Sequence, residues 1–100
     1  MLYVGVMEAE LFIPEARSKK ERRRVVNSLK ERARSRYKCA AAEVGNADRL
    51  QAATLAFATV AGSCTVVEET LDTIERLVYS GEAEVSWIRR AVRSAEELWD

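Results

Sequence analysis

Histidine is absent from the chain, which removes the commonest general base and metal ligand and leaves Asp, Glu, Lys or Cys for any such work. Walker loops, G-x-G-x-x-G, C-x-x-C and G-x-S-x-G are missing too. The sequence therefore nominates no catalytic, cofactor-binding or metal-binding residue, and a non-enzymatic protein is expected. No stretch is long and apolar enough to cross a bilayer, and the first residues lack a charged n-region with a cleavage site. A cytoplasmic protein with no membrane partner is the expectation. Cysteine is scarce. Cys39 and Cys64 lie far apart among small or apolar neighbours, and they read as buried, reduced thiols acting as small hydrophobes. Aromatics make up 7% of the chain; Tyr37, Trp87 and Trp99 read as core and rim packing, with no two on one exposed strand face.

What is present suits one domain of 100 residues, large enough for one core and too small for two. Apolar content of 48% against 32% charged argues against intrinsic disorder. Residues 1–93 are expected to form that domain, and residues 94–100 a short tail that either makes a terminal helical turn, docking Leu98 and Trp99, or frays. Net charge is zero, but residues 15–38 carry eleven Lys/Arg against three Asp/Glu, and the remainder carries the opposite excess. Such a dipolar molecule presents one basic surface, as expected of a protein that meets a polyanion at one place. A solvated helix whose charges serve solubility and internal pairing explains the same asymmetry.

The basic stretch, SKKERRRVVNSLKERARSRY from Ser18 to Tyr37, reads as a helix. Ser18 and Glu21 form an S-x-x-E capping box. At about 100° per residue Val25, Val26, Leu29 and Ala33 share one face, and Lys20, Arg23, Arg24, Lys30 and Arg34 lie opposite. Arg22 and Arg36 project toward the apolar side, so each must snorkel or find an acidic partner.

Around this helix, Leu2–Ile13 reads as a long strand, Lys38–Val44 as a short one, Gly45–Asp48 as a turn and Leu50–Ala61 as a third strand. A second helix follows, capped at Thr65 (with Glu68) or at Ser63, with Val67, Leu71, Ile74 and Val78 inside, Glu68 and Glu69 in its first turn and a stop near Gly81. Glu84–Val92 is the last strand, with Val85, Trp87 and Ala91 alternating against Ser86, Ile88, Arg90 and Val92. Strand–helix–strand–strand–helix–strand, with right-handed crossovers, is the ferredoxin-like α+β sandwich: a four-stranded antiparallel sheet of order 4-1-3-2 with both helices on one face. That topology brings Glu43 near the start of the first helix and predicts a Glu43–Arg22 ion pair. It also offers Glu8 and Glu10 as cross-strand partners for Arg89, Arg90 and Arg93. The other sheet face would carry small and apolar residues, including Val4, Val6, Phe12, Ala56, Ala58, Val60 and Ile88. That face is too apolar to leave bare, so a homodimer is expected through it or its edge.

Three segments, VGVMEAELFIPEARS, the basic helix, and Ala42–Val44 with Asp48 and Gln51 beyond, make the chain similar to the YlxP-like family of small bacterial proteins, a domain of unknown function. The resemblance spans about Leu2 to Val92 and implies a ferredoxin-like fold. It also implies an RNA- or ribosome-associated role, since genes for such proteins often lie beside genes of translation initiation and ribosome maturation. The chain departs from the family pattern at Lys19, Gly45, Asn46, Leu50 and Ala52. On this reading Arg17, Lys19, Lys20, Arg23, Arg24, Lys30 and Arg34 line a phosphate backbone and give salt-dependent affinity without base readout. The alternative is a dimeric small-ligand or regulatory module that uses the sheet face or dimer seam. An enzyme of acylphosphatase type would share the topology, but its phosphate-cradling loop is not recognisable in PEARSKKE.

Overall fold

Strict alternation in the first strand fixes the two layers. In the computed structural model, which describes residues 1–99, β1 runs Tyr3–Phe12, and its Met7, Ala9 and Leu11, with Ile13 beyond, are almost fully buried. β1 is followed by α1 (Lys19–Arg36), β2 (Ala40–Gly45), β3 (Ala52–Ala61), α2 (Cys64–Tyr79), β4 (Glu84–Ser94) and the short α3 (Ala95–Leu98). The sheet is antiparallel with order β2-β3-β1-β4, the predicted ferredoxin-like order read from the other edge. Val25, Val26, Leu29 and Ala33 of α1, and Val67, Leu71, Ile74 and Val78 of α2, pack onto one side of it. Each fully buried aliphatic or aromatic side chain contributes about 1.5–3 kcal/mol.

Both long helices start at a serine. Ser18 accepts a hydrogen bond from the Glu21 amide, and the Glu21 carboxylate reaches back to the amide of Arg17 rather than of Ser18. α2 starts at Ser63, whose side chain accepts from Val66 N. The first turn therefore begins at Cys64, and Glu68 and Glu69 fall beyond it, correcting the expectation that they face the helix dipole. Starting the helix there also exposes Cys64, contrary to the reading of both thiols as buried. Cys39 does pack partly against the core, and burial raises its thiol pKa while Arg34 works the other way. α2 closes on Ser80 in right-handed backbone, and Gly81 adopts no positive φ.

Departures in β4 have one cause. Glu10 pairs with Trp87 but Leu11 pairs with Val85, so Ser86 is an extra, bulged residue. One inserted residue swaps faces for everything beyond it, because side chains alternate with period two. Val85, Ile88 and Val92 therefore pack against the helix-side core, while Trp87 points to the open face. Ile88 does not lie on the open face as expected. Phe12 and Trp87, each 40% exposed, share it on neighbouring strands.

The tail does form a helical turn, capped reciprocally by Ser94 and Glu97. It is anchored by buried Ala95, whose amide donates to Leu2 O at 2.7 Å. Leu98 and Trp99 remain exposed and do not dock as proposed. Asp100 lies outside the described residues.

Candidate functional site

The outer face of α1 is where positive charge accumulates, and the structure separates its cations into tethered and free. Arg22, the one buried arginine, ends among acceptors: Nη2 pairs with Glu43 Oε1, as the topology predicts, and also donates to Asn46 O at 3.0 Å and Ala52 O at 2.8 Å. Its Nε donates to Arg49 O at 2.8 Å. The guanidinium thus spans the end of β2 and the whole 46–52 loop. A residue in left-handed backbone, Asn46 at φ 63°, turns the chain there, a conformation asparagine tolerates better than most side chains. Its Nδ2 crosses to the open sheet face and donates to Glu10 Oε1 (3.1 Å) and Thr54 Oγ1 (2.8 Å). Gln51 ties the same loop to the β1–α1 connection through Pro14 O and Ala16 O.

Among the seven candidate cations, two are engaged by carboxylates. Arg24 forms a forked pair with Glu82 at 3.2 and 2.9 Å, and Arg34 meets Glu31 at 3.2 Å while also donating to Ala41 O of β2. Arg17, Lys19, Lys20, Arg23 and Lys30 have no carboxylate within 4.0 Å among the described residues. Arg36, which the spacing aimed at the apolar side, is exposed in the last turn, where its charge suits the helix dipole.

The β4 arginines are all neutralised. Arg89 pairs with Glu8 at 2.6 Å, as expected, and lies 5.6 Å over the Trp87 ring. Arg90 does not meet Glu8 or Glu10. The bulge turns it to the helix side, where it bonds Asp72 at 2.8 Å and Glu68 at 3.0 Å, with Glu75 at 3.6 Å. Burial opposes its charge, but those hydrogen bonds outweigh burial and raise its pKa. Arg93 turns to Glu97 at 3.7 Å. A shallow trough of about 330 Å³ crosses the open face beside Val6, Glu8, Ala56, Arg89 and Ala91.

The Arg24–Glu82 fork lowers the Glu82 pKa and raises that of Arg24, the hydrogen bond being the larger cause in each case. A carboxylate lowered on folding adds stability above its unfolded pKa of about 4.3 and loses it as pH falls through the folded value. Thermal melts should therefore show Glu82→Gln below wild type at pH 7, with the gap closing as the pH drops below about 4. High salt at pH 7 should close it as well, because the pair is exposed.

Among solved structures the chain is similar to a structural-genomics protein titled YJCS, at 14% identity and TM-score 0.47 over 88% of this chain and 96% of that one. It is similar as well to the de novo designed protein Ferredog-Diesel, at 16% identity and TM-score 0.48 over 88% and 83%. No curated protein matches it. A family profile described as "Protein of unknown function (DUF503)" matches residues 4–90, nearly the whole sandwich, and the chain belongs to that family.

Proposed function

We propose that this is a non-enzymatic, RNA-binding protein of the cytoplasm that lays the exposed face of α1 along a phosphate backbone, in keeping with the ribosome-associated role implied by the YlxP-like resemblance. The observation that carries this reading is where uncompensated charge lies. Of the cations with no carboxylate within 4.0 Å, all but Arg49 and Arg76 fall between Arg17 and Lys38. The arginines of β4 have partners, and the helix cations keep their charge available for a polyanion. Arg24 and Arg34 flank this stripe and are held back by Glu82 and Glu31. Among the described residues the free set is thus Arg17, Lys19, Lys20, Arg23 and Lys30, extended by Arg32, Arg36 and Lys38. No aromatic lies on this stripe between Arg17 and Arg36, so binding is by charge and shape and not by base stacking.

A salt titration of an rRNA fragment tests the reading. Five cations neutralising single-stranded phosphate give a log–log slope near −3.5, about 0.7 for each. Lys20→Glu combined with Arg23→Glu should weaken binding by tenfold or more at low salt and flatten that slope by about 1.4, while Arg76→Glu leaves both unchanged. Equal affinity and slope for wild type and the double variant would sink the proposal.

A further inference from the structure

We infer that the open sheet face is the contact between two copies of this chain, packed face to face with their strands antiparallel. The described residues are 18 Å thick, a sheet and one helical layer, and none of them covers the far side. Val6, Phe12, Val60 and Trp87, between 40% and 61% exposed, all stand on that side. Four strands at about 4.8 Å spacing and about 33 Å length for the longer ones cover on the order of 600 Å². Two such faces bury on the order of 1,200 Å², the lower bound for a stable specific interface.

The arrangement of side chains on the face selects a second copy as the occupant. The register sets Phe12 opposite Glu84 at one end of the β1–β4 pair and Val4 opposite Arg93 at the other. One end is acidic, with Glu84 and Glu10, and the other carries Arg93. A two-fold axis lying in the interface and perpendicular to the strands reverses each sheet over its copy. β4 then lies on β4, and Glu84 of each copy faces Arg93 of the other.

The same operation places bulky side chains on small ones. Trp87 falls on Ala91 of β4 and Val60 on Ala52 of β3, because the registers of these strands share one centre of reversal. Ala56 sits at that centre and permits close approach. At that centre Glu8 of one copy faces Glu8 of the other and Arg89 faces Arg89, each carboxylate already held by the arginine of its own copy. The charges at the two ends and the size order of β3 and β4 are thus self-complementary under one operation, as a closed isologous dimer requires.

Sedimentation equilibrium of the full chain should show a monomer–dimer equilibrium with Trp87 fluorescence blue-shifted in the dimer. Ala56→Arg, an outward substitution whose folding is checked by circular dichroism, should abolish the dimer. Glu84→Arg or Arg93→Glu alone should each raise the dissociation constant by about tenfold or more through like charges facing across the seam, and the double variant should return it to near the wild-type value. A wild type that stays monomeric at high concentration assigns the face to some other protein and overturns the inference. So does a dimer that survives Ala56→Arg, or a double variant that is not rescued.

Discussion

Arg22→Ala should lower stability by about 3 kcal/mol, the low end for breaking a buried ion pair because the Glu43 side chain is 22% exposed and water can partly replace its partner. For a chain of this size that is roughly 12–24 °C in Tm. The loss has two parts. Glu43 keeps a charge in a half-buried place, and the carbonyls of Asn46, Arg49 and Ala52 lose the donor that gathers them. Arg22→Met with Glu43→Leu removes the first part by leaving neither charge, and it should recover most of the urea midpoint. The second part persists, so amide exchange in residues 46–52 should remain fast in that double variant. Arg22→Lys should behave like a partial loss, since one ammonium cannot span the carboxylate and three carbonyls at once. Arg23→Ala, on the exposed side, should stay within about 0.5 kcal/mol of wild type.

Gly5→Ala is the second large effect. A Cβ at Gly5 would lie 2.4 Å from Val67 Cγ1 and 3.0 Å from Leu71 Cδ1, well inside contact distance. Both neighbours are fully buried, and a valine in a helix has one strongly preferred χ1, so Val67 cannot swing aside. The added methyl must push α2 away from β1, a shift that costs about 1–3 kcal/mol in a well-packed interior. Val67→Ala in the same chain frees the space and should restore part of the loss, which separates overpacking from any effect of glycine on the unfolded chain. Gly62→Ala supplies the contrast. Only Met1 O lies within 4 Å of a Cβ there, at 3.8 Å, so chemical denaturation should show it unchanged or more stable by about 0.4–1 kcal/mol.

The two layers were readable because β1 and α1 keep their periods without interruption, and periodicity reports which side faces the core. The Arg22–Glu43 pair was readable for a different reason. An arginine on an apolar helix face needs a partner, and the connectivity offers only the end of β2. The rest of that cluster left no mark in the sequence, because Arg22 grips the loop by main-chain carbonyls, which every residue possesses. In β4 alternation misled, since a bulge at Ser86 leaves the residues unchanged and only reassigns their faces. Ile88, Trp87 and Arg90 were misplaced together by that single step. Along α1 the positions of the cations were legible, but not which were already occupied. The partner of Arg24 lies 58 residues away in the α2–β4 turn, a distance that no local pattern bridges.

β1 is central in the sheet, yet its neighbours are residues 52–61 on one side and 84–94 on the other. During synthesis this apolar strand is made before either neighbour and is flanked on both sides only after residues 84–94 have emerged. For that interval its free edge is a template for stray strand pairing and amyloid-like stacking. Glu8 and Glu10, charges set in the middle of an otherwise sticky segment, act as gatekeepers against such self-association. The carboxylates that later bind Arg89 and Asn46 thus protect the nascent chain before either partner exists.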